Sequence, residues 1–278
     1  IQMSIKLVAL DLDGTTLDSV GNLPDINKKA LEEAITKGIK IVIATGRSYY
    51  SLPKEVTGIK GLKYAITSNG AQIRDLISEE VLFSACIDPV AVQRAAAVIV
   101  DNGYDSDIEV FVNGAAYMER KTWEDIIRGR ITYRRKSYIE STRRPVDDII
   151  KFMLSNEDRI ENINICFADL SKKPQIRKTL EVMDEISTVT TSFDNNWEIG
   201  GLNTSKANAL VKLGKSLGLV KEEMMGCGDS PNDIPMIKAC GIGVAMGNAK
   251  ESVKEIANFI SGTNDEGGVS QAIHKFVL

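Results

Sequence analysis

Two kinds of hydrophobic pattern alternate along the chain. In the first, apolar residues run together and stop abruptly at small polar ones. Leu7-Val8-Ala9-Leu10 leads into Asp11-Leu12-Asp13-Gly14-Thr15-Thr16, Ile39 to Ala44 into Thr45-Gly46-Arg47, and Tyr64 to Thr67 into Ser68-Asn69-Gly70. Such runs read as strands buried on both faces, the pattern of a parallel sheet covered by helices. Between the first two, Asp25 can cap a helix with the stripe Ile26, Ala30, Leu31, Ala34 and Ile35, ended by Gly38. A further helix, disturbed at Pro53, precedes the third strand. The order is β-α-β-α-β, that of a doubly wound sheet. Gln72 to Ser84 then reads as a hairpin.

From about Ala85 to Phe193 the pattern changes. Asp88-Pro89 opens a helix that ends near Gly103. Ile108, Val110 and Val112 alternate with polar residues, Asn113-Gly114 is a hairpin turn before Ala115 to Met118, and Ile163, Ile165 and Phe167 alternate again. Helices are expected over Pro145 to Leu154 and Pro174 to Ile186, with a short strand at Val189 to Phe193, while basic Tyr133 to Arg144 suggests no element. Half-polar strands predict a sheet with one wet face. The first pattern then returns. Trp197-Glu198-Ile199 resembles a short strand, Thr204 can cap a helix to Gly218, and Met224 to Cys227 and Gly241 to Ala245 read as strands. A helix over Ala249 to Ala257 and a strand at Asn258 to Ser261 follow. The expected fold is therefore α/β. A doubly wound, Rossmann-like parallel sheet core is built from residues 1–84 and 194–278, with an α+β domain, residues 85–193, inserted after its third strand.

Composition mainly narrows the chemistry. A formal charge of −4 over 278 residues gives no electrostatic footprint for nucleic acid or an anionic membrane, and no apolar run is long enough to span a bilayer. The start, Ile1-Gln2-Met3, lacks a basic region before an apolar core, so no secretory signal is expected. Ile1 and Gln2 read as a cloning remnant. Cys86, Cys166, Cys227 and Cys240 are scattered in apolar surroundings and read as buried thiols of a cytoplasmic protein. His274, the only histidine, stands near the end of the chain. Histidine-based triads and zinc sites are thereby disfavoured, and attention turns to carboxylates and lysine.

Ligands of parallel sheets bind beyond the carboxyl ends of the strands. Asp11 and Asp13 lie at such an end, on the same side of an extended chain. Carboxylates that close repel unless a cation lies between them or one is protonated, so the pair reads as a metal site or an acid/base pair. Lys206 falls in the first turn of its helix, against the dipole, where an anion is expected to compensate it. Thr45-Gly46 is also explained as turn chemistry alone. In Ser230-Pro231-Asn232-Asp233, Ser at the cap and Asp three residues on form a capping box, which accounts for Asp233 without function. Asp229, at the tip of a buried strand, is not so explained and is the better metal ligand.

In order and spacing these residues resemble the haloacid dehalogenase superfamily of phosphatases. The correspondence runs through Asp11-Leu12-Asp13-Gly14-Thr15, Thr45, Lys206 and Gly228-Asp229-Ser230-Pro231-Asn232-Asp233. Ala44-Thr45-Gly46-Arg47, Ser68-Asn69-Gly70-Ala71 and the large insertion are similar to the Cof-type sugar-phosphatase branch, which carries an α/β cap domain. Where that family usually has Lys-Gly, this chain has Lys206-Ala207. The resemblance implies magnesium-dependent hydrolysis of a small phosphorylated metabolite through an aspartyl-phosphate. Asp11 would be nucleophile and metal ligand, and Asp13 the acid/base as well as a metal ligand through its carbonyl. Asp229 would ligate the metal, with Asp233 at or behind it. Thr45, Lys206, Asn232 and the amides of Leu12 and Gly46 would hold phosphoryl oxygens. A phosphohexomutase of the same superfamily, or a receiver-like phosphate-sensing switch, is the alternative. Asp13 argues against the switch, because an acid/base there speeds the hydrolysis a switch must slow. The sequence names neither the substrate nor the oligomeric state.

Overall fold

Leu7, Val8, Ala9 and Leu10 are all fully buried, and the strand they form lies in the middle of an eight-stranded sheet. The computed structural model describes residues 4–103 and 106–278; Ile1, Gln2 and Met3, with the cloning remnant read there, lie outside the described residues. The chain begins with β1 (Leu7–Leu10), β2 (Lys40–Ala44), β3 (Tyr64–Thr67), β4 (Gln72–Asp75) and β5 (Val81–Ser84). A second group follows: β6 (Ser106–Val112), β7 (Ala115–Glu119), β8 (Arg143–Val146), β9 (Ile160–Phe167), β10 (Ser187–Thr190) and β11 (Asn196–Gly201). The last strands are β12 (Met224–Gly228), β13 (Ile242–Ala245) and β14 (Phe259–Ile260).

The first sheet has the order β14-β13-β12-β1-β2-β3-β4-β5. It is parallel from β14 to β3, and β4 and β5 are added antiparallel as a hairpin. Alternation along β1 sends Val8 and Leu10 into one core and Leu7 and Ala9 into another. Helices Asp25–Thr36 and Gly268–Phe276 supply Ala30, Leu31, Val269 and Ile273 to the first; Lys206–Ser216 and Ile234–Ala239 supply Leu210, Leu213 and Met236 to the second. Each fully buried leucine contributes about 1.5–3 kcal/mol. Both faces are covered, so the sheet is doubly wound and Rossmann-like, and its strand ends are left to carry polar residues.

The chain divides into two compact units. One comprises the chain up to Gly46, Leu52–Ser84 and Ser205–Leu278; the other comprises Arg47–Ser51 and Ala85–Thr204. The second unit has a six-stranded sheet of order β10-β11-β9-β6-β7-β8, antiparallel except between β7 and β8. The Trp197-Glu198-Ile199 strand, expected in the first sheet, pairs with β9 and β10 instead. Its Trp-Glu-Ile alternation suits a sheet with one polar face. The chain re-enters the first unit at Ser205 rather than at 194, and Ser205, not Thr204, caps the helix by accepting from Asn208 N. Arg143–Val146 is a strand where a helix from Pro145 was expected, and Ile149–Leu154 alone is helical. The Pro174 helix stops at Thr179, and that after Ala249 covers only Glu251–Lys254.

The polar face of this second sheet is not wet. Asp107 and Glu109 are 1% and 0% exposed. Arg134 bonds to both carboxylates, and Arg143 Nε donates to Glu109 Oε1 at 2.8 Å. Asn164 Nδ2 adds a third donor to Glu109 at 2.9 Å. Burial alone would raise the Glu109 carboxyl, but the two guanidinium groups hold it well below the usual carboxylate range. Asp107 is pushed up to about 6, chiefly by burial, with Arg134 opposing. Among the described residues, no helix is long and apolar enough to cross a membrane.

Removing one partner of a buried ion network leaves an uncompensated charge. Glu109→Ala, which leaves Arg143 without a carboxylate and Arg134 with Asp107 alone, is expected to destabilise the second unit by about 3–5 kcal/mol. The chain's two tryptophans, Trp123 and Trp197, both lie in that unit, so their fluorescence follows its unfolding in urea. An unchanged midpoint would show that the network contributes nothing to stability.

Candidate active site

The site is assembled at the carboxyl ends of β1, β2, β3 and β12. Asp11 follows β1 in an extended conformation, and its N–H donates to Cys227 O at 3.1 Å, continuing the pairing with β12. The chain then turns sharply at Gly14, where φ is +78°. A Cβ on Gly14 would lie 2.6 Å from Asp229 Oδ2, so glycine is required by both the backbone and the approach of this carboxylate. Thr16 Oγ1 closes the turn by donating to Asp11 O at 2.5 Å, and Asn248 Nδ2 holds Gly14 O at 2.8 Å. After β3, Ser68, Asn69 and Gly70 all have positive φ. That turn passes so close to the next helix that a Cβ on Gly70 would meet Ser205 O at 2.1 Å.

Lys206 is the first residue of helix Lys206–Ser216 and is 1% exposed. Its Nζ donates to Asp11 Oδ1 at 2.6 Å and to Asp233 Oδ1 at 2.7 Å. The anions that its unfavourable helix position called for are these two carboxylates. Asp233 is fully buried, and its other oxygen accepts from the amides of Asp229 and Ser230, both at 3.0 Å. It therefore forms the capping arrangement read from the sequence and also pairs with the lysine. Asp229 is held by Thr15 Oγ1 at 2.9 Å and Ser230 Oγ at 3.0 Å.

Asp11, Asp229 and Asp233 present carboxylate oxygens that lie within 4.8 Å of one another. Three carboxylates facing one ammonium leave an excess of negative charge. Burial, followed by the charge of Asp233, raises Asp11 well above the ordinary aspartate value against the pull of Lys206. Burial and Asp233 likewise push Asp229 up to about 6. Lys206 moves the other way: burial would lower it, but Asp11 and Asp233 outweigh that and raise it. A cluster of hard oxygen donors with surplus charge is compatible with a metal ion.

The other residues expected at the site lie in the turns that follow β1, β2 and β12. Thr45, 1% exposed, and Gly46 follow β2, and Thr45 N donates to Ile66 O at 2.9 Å. Leu12 is fully buried in the turn, and Asp13 is half-buried beside it, with its carboxylate outside the three-carboxylate group. Asn232 Nδ2 donates to Asn69 Oδ1 at 3.0 Å, and its own Oδ1 is buried without a partner. Asn69, Thr15 and Ser230 stand in motifs quoted from the sequence but were not among the expected site residues, and Asn248 was not singled out at all. Of these, Asn69 carried a signal, since Ser-Asn-Gly after a buried strand demands a left-handed turn. The roles of Thr15 and Ser230 as donors to Asp229 depend on contacts that no local pattern encodes.

A family model described as haloacid dehalogenase-like hydrolase matches residues 8–273. The chain is 33% identical, over 99% of its length and 97% of the relative's, to the 5-amino-6-(5-phospho-D-ribitylamino)uracil phosphatase YcsE of Bacillus subtilis. Phosphatase YwpJ of the same organism is 31% identical over 96% of this chain and 98% of its own. A solved haloacid dehalogenase-like hydrolase from B. subtilis superposes with a TM-score of 0.82 at 29% identity, covering 98% of this chain and all of its own. A carboxylate cluster at the ends of a Rossmann-like sheet and a match over nearly the whole chain agree: the chain belongs to the haloacid dehalogenase-like hydrolases and is a phosphatase of that family.

Proposed function

We propose that the enzyme hydrolyses small phosphorylated metabolites in two half-reactions at Asp11, with magnesium at the acidic cluster. The observation that carries this reading is the surplus negative charge around Asp11 and Asp229. A divalent cation would return both carboxyls to the ionised form that a nucleophile and a ligand need. Asp11, Asp229 and the Asp13 carbonyl are the groups assigned to hold it. Asp233, with both oxygens engaged by Lys206 and two amides, acts behind them. When bound, magnesium supplies positive charge against the phosphoryl oxygens.

In the first half-reaction an Asp11 carboxylate oxygen attacks phosphorus. The bond from phosphorus to the ester oxygen breaks, and Asp13 delivers a proton to the leaving alcohol. In the second, Asp13 takes a proton from a water molecule that attacks the aspartyl-phosphate. The bond to Asp11 breaks, and inorganic phosphate leaves. Lys206, Thr45, Asn232 and the amides of Leu12 and Gly46 hold the phosphoryl oxygens, so positioning and charge carry most of the catalysis. The inserted unit, which contains no carboxylate of the cluster, is assigned recognition of the leaving group. The buried free thiols Cys166, Cys227 and Cys240 suit a cytoplasmic enzyme.

Asp11→Asn is expected to abolish phosphate release while leaving the circular dichroism spectrum unchanged; near-normal release would remove Asp11 from the nucleophile's role. Exhaustive treatment with EDTA is expected to abolish activity, and magnesium to restore it. Activity that survived chelation would point to metal-free chemistry.

A further inference from the structure

Three asparagines hold the turn that follows β1. Asn27 Nδ2 donates to Thr16 O at 3.1 Å, Asn264 Nδ2 to Leu17 O at 2.9 Å and Asn248 Nδ2 to Gly14 O at 2.8 Å. Asn27 and Asn264 are 0% and 5% exposed, as Thr16 and Leu17 are buried, so these two bonds satisfy groups in the interior. Asn248 is exposed. Water competes for an acceptor at such a position, and the bond adds little stability. Burial does not account for it.

The surroundings of Asn248, all within the first unit, give another reason for it. Its carboxamide is used at both ends, since Oδ1 accepts from Asn264 N at 2.9 Å. Two residues to either side, the backbone holds the turn after β12: Met246 N donates to Gly228 O at 3.1 Å and Lys250 N to Asp229 O at 3.0 Å. One short segment thus grips both the turn that carries Asp13 and the turn that carries Asp229. The two turns touch, because Thr15 Oγ1 donates to Asp229 Oδ1 at 2.9 Å and a Cβ on Gly14 would strike Asp229.

The Asp13 carbonyl and Gly14 O belong to successive peptide planes, related only by the φ and ψ of Gly14, +78° and 0°. Glycine is the residue that least restricts those two angles. Holding Gly14 O therefore limits how the Asp13 carbonyl can turn. Magnesium demands near-ideal octahedral geometry, so donors that move cost affinity. We propose that Asn248 is a positioning residue: from a segment anchored to Asp229, it fixes Gly14 O and so sets the Asp13 carbonyl against the Asp229 carboxylate for the cation. This rests on the magnesium reading above. The Asn248 carboxamide is engaged by backbone groups and is assigned no contact with the substrate.

The test is calorimetric titration of the substrate-free protein with magnesium chloride alone. Asn248→Ala removes an exposed side chain and leaves no buried gap, so its thermal midpoint should stay close to that of the wild type. Its dissociation constant for magnesium is expected to rise about 10-fold, the effect of losing a group that orients metal ligands. With magnesium saturating, kcat for p-nitrophenyl phosphate should fall while KM changes little. A folded Asn248→Ala that binds magnesium as tightly as the wild type would overturn the proposal. Should that variant not fold, Asn248→Asp decides: it keeps an oxygen for Asn264 N but has no donor for Gly14 O. Its added negative charge alone would tighten a cation, so weaker binding supports the proposal, and equal or tighter binding overturns it. A wild type that binds no magnesium and stays active after chelation would instead overturn the metal reading on which it rests.

Discussion

One buried ammonium group sets the terms for the first unit. Lys206 Nζ is shared between Asp11 and Asp233, and each of these carboxylates is 6% exposed or less. Buried charges are tolerated only when paired and hydrogen-bonded, and here the pairing draws together three separate strand and helix ends. Asp233 also fixes the Asp229 and Ser230 amides, so the same carboxylate that neutralises the lysine shapes the turn carrying the next acid. The balance is deliberately incomplete in charge. The cluster holds more carboxylate than ammonium, and burial makes the surplus expensive unless a cation joins it.

The second unit solves a similar problem to a different end. Asp107 and Glu109 are as deeply buried as Asp11, but two guanidinium groups match them, and Asn164 supplies a further bond. Charge there is close to balanced, which suits a rigid support. The contrast in charge balance separates the chemistry assigned to the first unit from the recognition assigned to the second.

Much of the first sheet was legible because its strands are short apolar runs that end in distinctive polar residues. Lys206 was legible as a lysine at the wrong end of a helix. Its partners were not, because they lie 195 and 27 residues away in sequence and meet it only through the sheet topology. The polar face of the second sheet was misread as wet for a related reason. Alternation at Ile108, Val110 and Val112 shows that one face is polar, but not what covers it. The arginines that fill it, Arg134 and Arg143, come from a stretch without periodicity. The strand at Trp197 was placed with the wrong sheet because three residues are too few to separate two patterns. Its cross-strand partners on β9 decide the matter.

The central claim is that Asp11 becomes covalently phosphorylated during turnover. The most direct measurement is an acid quench within a single turnover, followed by peptide mapping by mass spectrometry. The account predicts a transient gain of one phosphoryl group on the peptide containing Asp11, absent in Asp11→Asn. Under the proposed division of roles, the species should persist longer in Asp13→Asn, which cannot activate the hydrolytic water. Turnover with no phosphorylated protein at any time point in the wild type or in Asp13→Asn would contradict it, and would mean that water attacks the ester directly.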